Sequence, residues 1–307
     1  MPFQLHHKAL CFSAVVTLGS LVTGCSDLED KTPTSVSTEG TSLIAHIDAP
    51  KDGPTMQVAA SVYRHGVIRP LVGGDLFYVT HADRSITLKA PDDLAGFYMG
   101  SIPAGDIERP LNIDIRFDPH VARKDRWYDS SALVVDTQAS VLVGASGSAT
   151  LPPETLLTEP AADTQYRSRT DQIIMSWQTE TPALPMRLVT LQRCYQGTRS
   201  KTWTDTYRLS DTGSFTVNIA DLIPTQKDIN RVDPVAEAFT NIFLTFFEIL
   251  TFGIVDVRTD NNKTFSIDYC TIDLRLHREQ SGTLGDRVKG GQITASTSDS
   301  VTVRYEP

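Results

Sequence analysis

From residue 43 onward, apolar and polar residues alternate with a period of two in many short runs. The clearest case is 111–117, where Leu, Ile, Ile and Phe alternate with Asn, Asp and Arg. This period is typical of β-strands with one buried face, and Gly, Pro and Asp stand between the runs as turn signals. Strands are predicted at 43–47, 56–62, 75–79, 85–88, 97–99, 111–117, 132–135, 140–143, 173–177, 188–195, 202–209, 215–219, 264–276, 292–297 and 301–305.

A Pro-rich stretch at 151–162, LPPETLLTEPAA, divides these runs into two groups. Proline removes backbone donors and favours an extended connection, so this stretch predicts a boundary. The prediction is a mainly β protein with two antiparallel β-sandwich domains, at 43–155 and 156–307. Their pattern of short strands and turns resembles tandem immunoglobulin-like modules, although the antibody-type Cys-Trp-Cys pattern is absent.

In the run 264–276 the apolar residues lie on one face of the predicted strand at first and on the opposite face later. Phe265, Ile267 and Tyr269 share one parity, whereas Ile272 and Leu274 share the other. A change of parity inside one strand predicts a β-bulge near Cys270.

One segment departs from the β pattern, within an insertion at about 225–257. Asp233 can cap a helix, Pro234 suits its first turn and Gly253 can end it. The segment 234–252 is therefore predicted to be an amphipathic helix inserted in the second sandwich. It either packs inside the protein or contacts a membrane or partner, and Glu248 argues against a spanning helix. The contact residues would be Phe239, Ile242, Phe243, Phe246, Phe247 and Leu250.

The first residues have the order of a secretory leader. A short polar start that ends at Lys8 precedes an apolar run to Val22, and Thr23, Gly24 and Cys25 follow. Val22-Thr23-Gly24-Cys25 resembles the lipobox of bacterial lipoproteins. The resemblance implies that residues 1–24 are a cleaved signal peptide and that the sulfur of Cys25 is acylated. It also implies a Gram-negative envelope lipoprotein, with Ser26 compatible with sorting to the outer membrane.

Residues 25–42 are rich in Ser, Thr, Asp, Glu and Pro, and they predict a flexible tether. The net charge is -9, and loss of Lys8 with the leader makes it -9 - 1 = -10. An acidic chain without Lys/Arg blocks argues against nucleic acid as a partner and against a polybasic lipid-binding segment. Membrane attachment is therefore expected through the lipid on Cys25.

Two cysteines, Cys194 and Cys270, remain in the predicted mature chain. In an oxidising periplasm they are expected to form one disulfide. No metal or other cofactor is predicted, because the mature histidines are scattered along the sequence. These histidines are His46, His65, His81, His120 and His277.

Asp211-Thr212-Gly213-Ser214 matches the D-T-G-S motif of aspartic proteases. That family needs two such aspartates to share a proton and activate water, and no second D-T-G occurs in this chain. The same residues between two predicted strands are also an ordinary hairpin turn. A peptidase that uses Asp211 is therefore an alternative, and the main prediction has no catalytic residues.

Trp127 and Tyr128 are a candidate platform for a sugar or peptide, although such a pair more often caps the end of a sandwich. The sequence as a whole predicts a lipid-anchored envelope protein, on the outer membrane, with a binding or scaffolding role. Its expected partners are the membrane and an envelope protein or glycan. A membrane-active or assembly role for the 234–252 helix is the second alternative.

Overall fold

A computed structural model describes residues 40–71, 74–91, 96–104, 109–118, 139–223, 225 and 265–307. These ranges contain seventeen strands and one short helix, α1 (Ile219–Leu222). The strands are β1 (Thr41–Pro50), β2 (Thr55–Arg64), β3 (Val67–Ile68), β4 (Asp75–His81), β5 (Arg84–Thr87), β6 (Phe97–Pro103), β7 (Leu111–Phe117), β8 (Ser146–Ala149), β9 (Leu157–Glu159), β10 (Gln165–Tyr166), β11 (Gln172–Trp177), β12 (Met186–Gln196), β13 (Arg199–Leu209), β14 (Ser214–Asn218), β15 (Tyr269–Ser281), β16 (Thr283–Leu284) and β17 (Gly290–Tyr305).

The strands form three sheets, and the largest has nine strands. Its main order is β13-β12-β15-β17-β1-β2-β3, with β10 also paired to β17 and β6 to β2. A five-stranded sheet has the order β16-β8-β7-β4-β5, and a three-stranded sheet has the order β14-β11-β9. The protein is therefore mainly β, as the alternating pattern predicts.

The sixteen-residue strand β17 contributes to both hydrophobic cores. Ile293 and Ala295 in its first half belong to the core under the five-stranded sheet. Val303 and Tyr305 in its second half belong to the core under the three-stranded sheet. All four positions are odd, and residues two apart in a strand point to the same face. Both cores therefore lie on one face of the nine-stranded sheet.

The prediction of purely antiparallel sheets is wrong at the centre of the molecule. β1 pairs with β17 in parallel from Ser42↔Gly290 to Pro50↔Ser298. Parallel neighbours need a long connection, and here most of the chain separates the two strands. The close approach also depends on Gly291, where a Cβ would lie 2.0 Å from the carbonyl oxygen of Leu43.

The Pro-rich boundary also separates the residues of the first core from those of the second. The exception is the C-terminal part of the chain, which contributes residues to both cores. The first core runs from Leu43 to Leu151, and the segment 284–295 joins it from the end of the chain. Two separate sandwiches would need four sheets, whereas three are present in the described residues because one sheet serves both cores. The division into two domains stays a prediction.

Three strand predictions fail in detail. The predicted strand at 140–143 is a turn, and the two predicted strands at 292–297 and 301–305 are one strand. β15 begins only at Tyr269 and pairs with β17 without a shift of register, so the bulge near Cys270 is wrong. The parity changes because Phe265 and Ile267 precede the strand and still pack on the second core.

The predicted helix at 234–252 lies outside the described residues, as do the leader, Cys25 and the pair Trp127 and Tyr128. Within the described ranges, no helix has the length and apolar character needed to cross a membrane.

Candidate functional site

Charged side chains are buried on both faces of the nine-stranded sheet, at the level where the two cores meet. On the core side lies Arg278 of β15, which is 0% exposed. On the other face lie the carboxylate of Asp48, which is 0% exposed, and the side chain of His277, which is 1% exposed. Lys, Arg, Asp and Glu are almost never fully buried without partners, so each face has to contain a polar network.

Arg278 fastens three separate parts of the chain together. Its Nη1 donates to the carbonyl oxygen of Glu154 at 2.7 Å, and its Nη2 donates to that of Gln178 at 2.5 Å. The same Nη2 lies 3.6 Å from Oδ2 of Asp211, whose side chain is also 0% exposed. The guanidinium therefore joins β15 to the Pro-rich connection and to the turn before β14.

Side chains of β17 hold the same connection. Thr155 donates to the carbonyl oxygen of Thr297 at 2.9 Å, and Thr297 donates to that of Pro153 at 2.7 Å. Asp299 accepts a hydrogen bond from the backbone N–H of Leu157 at 2.9 Å and pairs with Lys51 at 3.1 Å. These contacts and those of Arg278 form the junction clamp, which fixes the segment between the two cores to the sheet that both cores share.

Asp211, the candidate catalytic aspartate, is part of the junction clamp. Its Oδ1 accepts from the indole N–H of Trp177 at 2.8 Å, and its Oδ2 accepts from the backbone N–H of Glu180 at 3.1 Å. The predicted hairpin is wrong, since β13 belongs to the nine-stranded sheet and β14 to the three-stranded one. The D-T-G-S segment is the crossing between these sheets, and the buried carboxylate holds the crossing in place.

A second network occupies the opposite face of the sheet. We call it the histidine–aspartate cluster, and all its members are at most 3% exposed. It consists of His46, Asp48, Arg187, His277, Ser296 and Ser298. The residues come from β1, β12, β15 and β17, so the pairing of these four strands brings together two histidines that are 231 positions apart in the sequence.

Asp48 lies at the centre of this cluster. Its Oδ1 accepts from Ser296 at 2.7 Å and its Oδ2 accepts from Ser298 at 2.9 Å, while Nδ1 of His277 is 3.3 Å from Oδ1. Nε2 of His46 lies 3.4 Å from the hydroxyl of Ser296 and 3.5 Å from the guanidinium of Arg187. Arg187 also pairs with Glu279 at the edge of the cluster.

These residue types also occur in serine hydrolases, but the hydrogen bonds here differ. A nucleophilic serine needs to donate its proton to a histidine that a carboxylate orients. In this cluster both serines donate to Asp48 itself, and Ser296 is 0% exposed. The arrangement holds a buried carboxylate in a hydrogen-bonded site, which is a structural use of these groups.

The burial of the cluster changes the proton affinities of its members. Burial, with a smaller contribution from the charge of Arg187, lowers the pKa of His46 to about 3. Burial alone would raise the pKa of Asp48, but its interaction with His277 and the hydrogen bond from Ser296 outweigh burial and hold it well below the usual value. The folded protein therefore contains neutral His46 and ionised Asp48 at neutral pH.

As the pH falls, protonation of His46 in the unfolded chain should be the first of these two groups to lower the free energy of unfolding. The unfolded chain binds a proton at this residue below about pH 6.5 and the folded chain does not, so the free energy of unfolding falls as the pH drops below that value. From pH 7 to pH 5 the expected loss from His46 is about 2 kcal/mol. Asp48 adds a further loss only below about pH 4, since its folded pKa lies below its unfolded one. Urea unfolding at several pH values measures the profile.

Replacing His46 separates this effect from general acid sensitivity. We expect His46→Gln to remove about 2 kcal/mol of the loss between pH 7 and pH 5, because glutamine does not titrate. His65→Gln is the matched control, since His65 is exposed and should leave the profile unchanged. Identical pH profiles for His46→Gln and the unmodified protein would contradict the assignment.

The predicted disulfide is confirmed. Cys194 of β12 and Cys270 of β15 are direct cross-strand neighbours with a Cα–Cα distance of 4.0 Å, and both are 0% exposed. Beside the disulfide, Tyr195 and Tyr269 stack with ring centroids 4.7 Å apart. The bond therefore links two central strands of the second core.

Neither network was predicted, although the sequence contains weak signals of both. His46 and Asp48 interrupt the apolar run of β1 at alternate positions, so they share one face. Arg278 follows Leu276 at a spacing of two, which places a cation on the face that carries the core. In the described residues, no group of three or more His, Cys, Asp or Glu is placed to hold a metal ion.

No protein-family model matches the chain, and no curated protein matches it. Among solved structures, a DUF4785 family protein from Legionella pneumophila is similar at 10% identity with a TM-score of 0.23. The FN1–FN3 domains of chicken CNTN1 are similar at 7% identity, also with a TM-score of 0.23. The matches cover 77% and 84% of this chain, but only 52% and 66% of the two solved chains. Similarity at this level carries no argument about fold or function.

Proposed function

We propose that this protein is a lipid-anchored component of a bacterial cell envelope with a binding or scaffolding role and no catalysis. In this proposal Cys25 carries the lipid and the β body is presented to an envelope protein or glycan at the end of the tether, which is shorter than the predicted 25–42 because β1 begins at Thr41. The outer membrane is the proposed location, from the identity of Ser26. The body would consist of two immunoglobulin-like sandwiches that have been merged along one sheet.

The observation that carries the scaffolding role is the continuous nine-stranded sheet. β17 packs on both cores, and the junction clamp fixes the connection between them to that strand. Separate domains on a linker reorient freely, whereas strands hydrogen-bonded into one sheet do not. Such a body presents its loops in a fixed geometry, which is the property that a scaffold needs.

The chemistry of the buried networks supports a role without catalysis. A peptidase aspartate has to reach water and share a proton with a second carboxylate. Asp211 instead accepts two hydrogen bonds, from Trp177 and Glu180, and lies 3.6 Å from Arg278. We expect Asp211→Asn to leave the behaviour of the folded protein on peptide substrates unchanged, whereas loss of a peptidase activity would favour the alternative.

Labelling with radioactive palmitate tests the anchor. The full chain and its Cys25→Ser variant are expressed in a Gram-negative host, and the membrane and soluble fractions are compared. We expect the unmodified chain to be labelled and membrane-bound, and Cys25→Ser to be unlabelled, because in this proposal Cys25 is the residue that carries the lipid.

Cys11→Ser is the matched control, since Cys11 lies inside the predicted leader and should keep full labelling. An unlabelled wild-type chain, or a Cys25→Ser variant that still incorporates palmitate, would contradict the proposal.

A further inference from the structure

A cavity of about 570 Å³ opens at one end of the nine-stranded sheet. The β2–β3 hairpin forms one wall with Arg64, His65, Arg69 and Pro70, and the segment 140–142 forms the other. His65 and Gly66 occupy the two turn positions with φ of 54° and 77°, the geometry of a tight two-residue hairpin. Arg64 precedes this turn and Arg69 follows β3, and both arginines line the opening.

Two further basic residues, from near the end of the chain, contact segments next to this opening. Arg287 donates to the carbonyl oxygen of Val143 at 2.9 Å, on the segment that continues the second wall. Lys289 is exposed, and its backbone N–H donates to the carbonyl oxygen of Thr41. We call Arg64, His65, Arg69, Arg287 and Lys289 the tether-end basic patch.

The patch is basic, whereas the chain as a whole has a negative net charge. In the described ranges, neither Arg64 nor Arg69 has a carboxylate within 4.0 Å in an ion pair. Asp75, an acid that lines the cavity, is 4% exposed, and its Oδ1 lies 3.5 Å from the backbone N–H of Ser140. Two further acids lie on neighbouring segments: the backbone N–H of Asp118 donates to the carbonyl oxygen of Gly74, and Asp286 precedes Arg287 in the sequence. Four arginines and lysines therefore collect at one end of a chain whose net charge is -9.

The patch also lies where the chain from the proposed anchor enters the body. Thr41, the first residue of β1, pairs with Arg64, and the backbone N–H of His65 donates to the carbonyl oxygen of Gly40 at 3.1 Å. Only the fifteen residues from Cys25 to Glu39 separate this point from the proposed lipid. Fifteen residues span roughly 20 Å by the random-coil relation between chain length and end-to-end distance. The anchor therefore holds this end of the body close to the bilayer.

We propose that the tether-end basic patch binds the phosphate groups of anionic phospholipids in the membrane that holds the anchor. This proposal rests on the proposed lipid anchor. Arginine forks match phosphate oxygens in a bidentate geometry, and each basic residue at an anionic surface strengthens binding by about fivefold. Lipid on Cys25 and headgroups on the patch give two points of attachment, which orient the long sheet relative to the membrane.

Vesicle co-sedimentation of the mature chain from Ser26, without lipid, tests this site apart from the anchor. The vesicles contain phosphatidylcholine alone or phosphatidylcholine with phosphatidylglycerol. We expect binding only to the second kind, weakened by salt, and we expect Arg64→Glu/Arg69→Glu to reduce it by at least about tenfold. Circular dichroism verifies that each variant is folded.

The matched control is Arg84→Glu/Arg208→Glu, which changes the net charge equally at two exposed positions outside the patch. Arg84 lies beyond His81, at the opposite end of β4 from Asp75. This variant should bind the vesicles as the unmodified chain does.

Equal loss of vesicle binding in both double variants, or binding without a preference for phosphatidylglycerol, would overturn the proposal. Absence of binding to either kind of vesicle would also overturn it, and this is the result expected if a protein partner or the acidic residues of 25–39 occupy the patch. The palmitate-labelling test of Cys25 is independent of this experiment, so failure of the patch and failure of the anchor can be told apart.

Discussion

Replacing Arg278 with alanine is expected to lower the free energy of unfolding by about 3–5 kcal/mol, which would be among the largest effects of any single substitution here. The change removes the donors for the carbonyl oxygens of Glu154 and Gln178 and leaves the buried carboxylate of Asp211 without its cation. A buried charge or acceptor that loses its partner costs its full desolvation free energy. Urea unfolding at neutral pH, followed by tryptophan fluorescence, measures the loss.

A second substitution tests whether the charge of Asp211 is the cause. Asp211→Asn keeps an acceptor for the indole of Trp177 but removes the negative charge. We expect it to destabilise the unmodified protein and to be neutral or stabilising in the Arg278→Ala background, because the two charges compensate each other. Arg208→Ala is the control, since this exposed arginine should change stability by no more than about 0.5 kcal/mol. Additive losses from Arg278→Ala and Asp211→Asn would refute the coupling.

Removal of the disulfide should have an effect of similar size. The bond from Cys194 to Cys270 closes a loop with a sequence separation of 76, and the chain-entropy model gives roughly 4 kcal/mol for a loop of this length. We expect Cys194→Ala/Cys270→Ala to lower the free energy of unfolding by about that amount, and alanine avoids the burial of new hydroxyl groups. Urea unfolding of the mature chain measures the difference.

The reduced wild-type protein provides the comparison. Both cysteines are 0% exposed, so a reductant should act only on molecules that have opened. Unmodified chain that is unfolded and refolded in reductant should match the double alanine variant within about 1 kcal/mol. A double variant as stable as the oxidised protein would mean that the cross-link contributes nothing to the fold.

Local patterns predicted the individual strands well, because each needs only one face that can be buried. The alternation in Leu111–Phe117 appears directly as buried and partly exposed positions in β7, whereas in β2 both faces are buried over 58–62. The segment 140–143 was predicted wrongly because a short apolar run is also compatible with a turn whose Leu142 packs on the core.

The joining of the two cores could not be predicted from local pattern. It depends on the pairing of β1 with β17, which are separated by most of the chain, and on the absence of a side chain at Gly291. The same long-range pairing creates the histidine–aspartate cluster and the tether-end basic patch. The sequence showed no Lys/Arg block, since Arg64 and Lys289 become neighbours of one strand end only in the folded chain.

The most direct test of the scaffold is whether the two cores unfold together. Hydrogen exchange by mass spectrometry, with urea increased in steps, follows β2 of the first core and β12 of the second in the same sample. Because one sheet and the junction clamp join the cores, we expect the slowest amides of both strands to open with the same free energy and the same dependence on urea. Exchange of β2 at a lower urea concentration, while β12 stays protected, would show two independent domains and contradict a single rigid body.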